Sequence, residues 1–235
     1  MSVLEIIDHV RRAIDEVTVN DSAFINESID EANLDVVIVD KIPYALRWLL
    51  ENAPEDKLEG DMVSTWTTQE ISEYFSITDG VATVILPDDI LRVVSARLSS
   101  WKQSPVPILE QSEEYLMQGD PYARGTWDRP VTVLVHGWVI DNSVRKAVRK
   151  LELYSAKETT DELIITFVKV PDLSDVDAGD SSTWDDTDVD VPVKLDGAFI
   201  YEIAGLVLVA YREQAAKACF ELAERYLFAS QSEAS

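Results

Sequence analysis

Two histidines, one cysteine and 44 acidic side chains are the groups with which this 235-residue chain could do chemistry. Around His9 and His136 no HExxH, Ser-His-Asp or CxxC spacing can be assembled. His9 falls on or beside a helical stripe and reads as a packing or surface residue; His136, before Gly137-Trp138, reads as a strand-end polar residue. Cys219 sits among Ala215, Ala216, Ala218 and Phe220, the setting of a small buried hydrophobe rather than a reactive thiol. Asp88-Asp89 and Glu113-Glu114 are neighbours in sequence, so their carboxyls diverge instead of facing each other across a glycosidic bond. Asp175, Asp177 and Asp180 suggest a calcium loop, but an EF-hand needs Gly at its sixth place and Glu at its twelfth. Here Gly179 is fifth and Asp186 twelfth, so the match fails. There is no phosphate-cradling glycine loop. No catalytic residue, cofactor or metal site is assigned.

The charge is more informative. Against 44 Asp and Glu stand 20 Lys and Arg, a net of −24. Phosphate neutralisation needs clustered cations, so a broad nucleic-acid face is excluded and anionic membranes are disfavoured. No apolar run reaches the length of a membrane span. Residues 1–10 carry Glu5 and Asp8 and no basic n-region, unlike a signal peptide. One cysteine allows no intrachain disulfide framework, which fits a reducing compartment.

Two charged stretches are candidate interfaces. Arg145, Lys146, Arg149 and Lys150 form the one dense positive cluster. Residues 172–190 hold eight aspartates, Asp185, Asp186 and Asp188 among them, and no Lys or Arg. Such a segment buries little and is expected to stay solvated and extend from the body, where it could meet the cations of a neighbouring copy. Of the six tryptophans, Trp48 has a helical core context. Trp66, Trp101, Trp127 and Trp184 have loop-like contexts and are candidate interface anchors.

These groups must be positioned by an ordered set of elements. Leu4, Ile7, Val10, Ile14 and Val17 repeat at three and four, predicting a helix. Asn20 or Asp21 can cap a second, with Ile25, Ile29, Ala32 and Val36 inward, that runs through Pro43 or restarts near it. Tyr44, Leu46, Trp48, Leu49 and Leu50 continue it on more than one face, predicting burial. Then the period changes. Ile77-Thr78-Asp79-Gly80-Val81 is a hairpin signal. Strands follow at 84–86, 91–98, 131–138, 150–155 and 163–170, with a short acidic helix at 110–118. The connections are too short for parallel crossovers, so antiparallel pairing is predicted. Asp196 can cap one long closing helix from Ala198 to Phe228, apolar nearly all round from Ile200 to Tyr211. Ile203, Leu206, Val207 and Tyr211 on that helix are candidate interface residues, since one small bundle would not cover every face. The fold class is α+β: a helical bundle from the N- and C-terminal helices with a central antiparallel β-rich insertion. The divisions are 1–62, 63–171, an acidic loop 172–195, and 196–235.

This order resembles the head-to-tail adaptor, or connector ring, proteins of short-tailed bacteriophages. A helical pair precedes a hairpin ending in Leu86-Pro87-Asp88-Asp89-Ile90-Leu91-Arg92-Val93, then an extended stretch with Pro105, Tyr115 and Asp120-Pro121. A strand block with Leu151-Glu152-Leu153-Tyr154-Ser155-Ala156 follows, and Pro192-Val193-Lys194-Leu195-Asp196 leads into a helix with Tyr201, Ala204 and Leu206. The family's usual Trp-Ser/Thr-Asp opening of the second helix is replaced by Val19-Asn20-Asp21-Ser22-Ala23, and the acidic segment is long. The resemblance implies a non-enzymatic virion protein at the head–tail junction, made in the host cytoplasm. Its implied partners are itself, in a dodecameric ring, the portal protein, and tail or nozzle proteins, with DNA only as passing cargo and no membrane. An acidic channel wall would keep DNA from sticking. Two other classes compete on composition: a monomeric acidic binding or inhibitor module that mimics DNA, and a Ca²⁺-assisted carbohydrate-binding protein.

Overall fold

The computed structural model describes residues 1–18, 31–58, 62–71, 74–120, 122–141, 144–156, 160–209 and 213–229. The chain divides into two compact units, residues 1–59 with 171–235, and residues 60–170.

The first unit is helical and joins both ends of the chain: α1 (Val3–Thr18), α2 (Glu31–Asn52), α3 (Asp196–Leu208) and α4 (Glu213–Phe228). A capping box starts α1. The Glu5 N–H donates to Ser2 Oγ at 3.2 Å, and the Ser2 N–H donates to Glu5 Oε2 at 2.9 Å. Val3, Ile6, Ile7, Val10, Ala13 and Ile14 are buried, whereas Leu4, expected in the stripe, is exposed. It lies about 100° around the helix from Val3 and misses the core face. Helix α2 continues through Pro43 and buries Ile38, Ile42, Ala45, Leu46, Leu49 and Leu50. Val36 and Tyr44, expected inside, are on its exposed side. The expected cap at Asn20 or Asp21, with Ile25 and Ile29, lies outside the described residues.

The single closing helix is corrected to two, packed antiparallel. The rings of Tyr201 and Tyr226 stack with centroids 5.5 Å apart. At Gly205 a Cβ would come within 2.5 Å of the Phe220 ring, so the close approach of α3 to α4 requires glycine there. Helix α3 packs on α1, α2 and α4, which covers its apolar surface on several sides. Lys57 closes the C-terminal end of α4. Its Nζ donates to the carbonyls of Tyr226 (3.2 Å), Leu227 (2.7 Å) and Ala229 (2.7 Å), acceptors that the helix itself leaves unpaired.

The described residues of the second unit form eight strands: β1 (Val63–Thr67), β2 (Phe75–Thr78), β3 (Val81–Leu86), β4 (Ile90–Leu98), β5 (Ile108–Leu109), β6 (Val131–Asp141), β7 (Val144–Tyr154) and β8 (Leu163–Lys169). They form a three-stranded sheet in the order β1-β8-β4 and a five-stranded one in the order β2-β3-β7-β6-β5. All pairings are antiparallel except the two-residue β5–β6 pair, Ile108 with Val133 and Leu109 with Leu134. The turn between β2 and β3 is the expected one, with Asp79 at φ 52° and Gly80 at φ 75°. Both sheets contribute to one core, through Val84, Leu86, Ile90, Leu98, Leu151, Leu153, Ile165 and Phe167.

Two boundaries differ from the sequence expectation. The acidic helix is only Glu113–Met117, capped by Ser112, whose Oγ accepts from the Tyr115 N–H at 3.3 Å. Strand β7 begins six residues earlier than expected, at Val144. The run Arg145-Lys146-Ala147-Val148-Arg149-Lys150 has weak strand propensity of its own; pairing with β6 carries it.

Candidate interaction surfaces

The longer β7 decides what the four clustered cations do. Strand side chains alternate between faces, so Arg145 and Arg149 project to one side and Lys146 and Lys150 to the other. The cluster is therefore two pairs rather than one patch. Arg149 is taken up by its own unit. Its guanidinium donates to the carbonyl oxygens of Leu91 (2.9 Å), Pro87 (3.5 Å) and Ile90, holding the β3–β4 turn. Lys146 pairs with Asp88 at 3.2 Å, both groups well exposed. The stem of Lys150 passes over Gly137. Arg145 lies over the ring of Trp138 at 4.6 Å, a cation–π pair on the outer part of the hairpin.

That outer part has few neighbours. Strands β6 and β7 pair with each other from Val131↔Tyr154 to Asp141↔Val144. Strand β3 joins β7 only at residues 149–154, and β5 joins β6 only at Ile108↔Val133 and Leu109↔Leu134. Residues 135–141 and 144–148 thus form a two-stranded ribbon that no third strand flanks among the described residues. Trp138 on this ribbon is 57% exposed.

Three of the four tryptophans expected as anchors are packed within their own units. Trp101 is buried and donates its Nε1–H to the Ser155 carbonyl at 3.1 Å. Trp66 packs on Phe167, ring centroids 4.4 Å apart. Trp184 is also buried, and of the four expected anchors only Trp127 is exposed, with Lys102 over its ring at 4.6 Å. Trp138 was missed. Its strand position gave no loop signal, and only the boundary of β7 shows that it stands beyond the sheet.

The acidic segment is the second surface: its eight aspartates are exposed, as expected, but instead of extending from the body it is a strap held against the start of α1. Its carbonyls cap the start of α1: the Val3 N–H donates to Thr187 O at 3.0 Å and the Leu4 N–H to Trp184 O at 3.4 Å. Val189 N–H returns a bond to Met1 O at 2.9 Å. Trp184, Val189 and Val191 are buried, and the Trp184 indole donates to Asp177 O at 2.9 Å. A few apolar residues spaced among the aspartates are enough to fix the strap, because the free donors of a helix start supply the rest.

Of the aspartates that resembled calcium ligands, Asp177 and Asp180 serve the strap's own turns. Asp177 accepts from the Gly179 N–H at 2.7 Å, and Asp180 accepts from Ser182 Oγ at 2.6 Å and Ser182 N–H at 3.0 Å. Asp172 accepts from the Ser174 N–H at 3.1 Å. The backbone bond from Ser174 lowers the Asp172 pKa, and the Ser182 hydroxyl followed by its N–H lowers that of Asp180. Asp185, Asp186 and Asp188 stay exposed on the strap's outer side.

On α3, Ile203 is fully enclosed and Val207 nearly so, while Leu206 is half-buried. The interface expected at Ile203 and Val207 is corrected: the chain's own helices cover them, because the segment folds into two helices rather than one. Tyr211 lies outside the described residues. The remaining titratable groups of interest also belong to packing. Burial pushes the Cys219 thiol up to about 11, so it is protonated and inert at neutral pH. Glu202 on α3 is pushed to about 7, by burial first and by the nearby Glu224 second.

The chain is thus an α+β protein that presents an exposed Trp–Arg ribbon and an acidic strap held against α1. The chain belongs to the SU10 adaptor protein family, whose model matches residues 1–234. It is a phage adaptor, as the resemblance implied. A search of curated proteins finds no match. Among the described residues no helix is long and apolar enough to cross a membrane.

Proposed function

We propose that this chain is a structural virion protein at the head-to-tail junction of a short-tailed phage. Copies of it form a dodecameric ring that docks on the portal protein, extends the DNA channel and offers a platform to tail or nozzle proteins. It turns over no substrate. The family match along 1–234 carries the reading. Two physical features support it. Both chain ends enter one helical unit, which leaves the β-rich unit as an insertion able to present separate contacts. A net charge of −24 repels DNA phosphates, so DNA can pass as cargo without adhering.

Electron microscopy of the purified protein mixed with its portal protein tests this. The expected image is a second ring, coaxial with the portal and of twelve subunits. Failure of the two proteins to form any complex would overturn it.

A further inference from the structure

The ribbon of residues 135–141 and 144–148 is an unusual thing to leave standing. A two-stranded hairpin is marginal in water, and both of its edges carry backbone groups with no third strand beside them. At about 3.3 Å per residue its seven-residue strand spans roughly 20 Å, enough to lie across the surface of another molecule. It also carries a ready-made anchor. Trp138 is 57% exposed and its ring is already stacked under Arg145, and Trp and Arg are the residue types that dominate binding hot spots. Lys146 stands on the opposite face of the ribbon, 60% exposed at its side chain and paired with Asp88.

Charge names the occupant. Arg145 and Lys146 outnumber the one acid of the ribbon, Asp141, in a chain of net −24, so their complement is carried by every other copy of the same chain. A negative surface fixed to the body of such a copy is the strap, where Asp185 and Asp186 follow the buried Trp184 and Asp188 precedes the buried Val189. A strap tied to the start of α1 loses little freedom on binding, which favours a docking surface over a loose acidic tail.

We infer that the Trp138–Arg145 ribbon of one copy docks on the acidic strap of the next. Ribbon and strap are different surfaces, so the contact is heterologous: each copy gives its ribbon to one neighbour and its strap to another. Repetition of a heterologous contact closes into a ring when the rotation per copy permits. The inference rests on the adaptor reading only for the expectation of closure. Its test uses this chain alone, so a negative result leaves portal docking untouched.

Sedimentation velocity is read at about 0.05 M and about 0.5 M salt. Four samples are compared: the wild type, a ribbon variant (Arg145→Glu with Lys146→Glu), a strap variant (Asp185→Lys with Asp186→Lys), and an equimolar mixture of the two variants. The wild type is expected to self-associate at low salt and to weaken roughly tenfold or more at high salt. Each variant alone should lose association, and the mixture should regain it, because each reversed surface then finds an opposite partner. Trp138→Ala, which changes no charge, should weaken association at both salt concentrations. A monomeric wild type at low salt, association indifferent to salt or to both variants, or a mixture that fails to recover would each overturn the proposal. So would a ribbon variant that loses retention on DNA while self-associating normally, since the ribbon's partner would then be phosphate. Native circular dichroism and melting of each variant confirm that a loss is one of contact and not of fold.

Discussion

Helix α3 and the β6–β7 ribbon invert what their compositions suggest. The helix is apolar nearly all round, and its own chain encloses it: Phe199, Ile203 and Ala204 have no exposed surface and Val207 almost none. The ribbon is charged, with an arginine, a lysine, a histidine and an aspartate along it, yet it holds one of the two exposed tryptophans among the described residues and has no third strand among them. An apolar segment therefore marks a partner surface only if the chain leaves it uncovered. The second difference is in where charge sits. Arg145 on the ribbon is held by a ring and Arg149 at its base by turn carbonyls, while the strap that carries the aspartates is held by backbone bonds to a helix start.

The comparison can be broken most directly at α3. Phe199→Ala should cost about 4 kcal/mol of stability, the range for a fully enclosed aromatic, read as a lower urea midpoint. A loss below about 1 kcal/mol would mean that α3 is not the centre of its unit. Next is the closure of α4. Lys57→Met keeps the buried stem but strands three carbonyls, and should cost about 3 kcal/mol with faster amide exchange through the last turn of α4.

Glu202 sharpens the picture of a helix enclosed at a charge cost. Its pKa rises from 4.5 to about 7 on folding, so between those values the folded chain holds a proton that the unfolded chain has lost. Stability therefore falls as pH rises through that window, and the penalty is complete above about 7. Glu202→Gln removes it. The variant should match the wild type near pH 4.5 and exceed it by about 2 kcal/mol at pH 8, once solvent screening is allowed for. A gain independent of pH would rule out the carboxylate as its cause. The smallest effect belongs to the ribbon: Trp138→Ala should change monomer stability by no more than about 0.5 kcal/mol. A loss as large as that of Phe199→Ala would erase the contrast between the two regions.

Much of this was legible in advance where a local rule operates. The Asp79-Gly80 turn follows from two positive φ angles, which those two residues tolerate best. Helices at both ends and strands between follow from periods of 3.6 and 2. Other boundaries were not. Residues Val209 to Arg212 contain no glycine or proline, so nothing in that stretch announces the end of α3 at Leu208 and the start of α4 at Glu213. The first residues of β7 read as a charged connection because their strand form depends on β6. In the acidic segment, eight like charges outweighed Trp184, Val189 and Val191, whose burial depends on a helix start some 180 residues away.

The sequence alone determined the class of fold, the placing of helices at both ends and strands between, the tight turn at Asp79-Gly80, and the sign of the net charge. These are set by backbone sterics and by the alternation of apolar residues within a few positions. Tertiary structure alone decided that α3 is covered by its own chain, that the aspartates form a strap, that four adjacent cations split between two faces, and that Trp138 is left in solvent. Burial is a property of two surfaces at once. Each surface here meets its partner, or fails to, only when segments distant in sequence have come together.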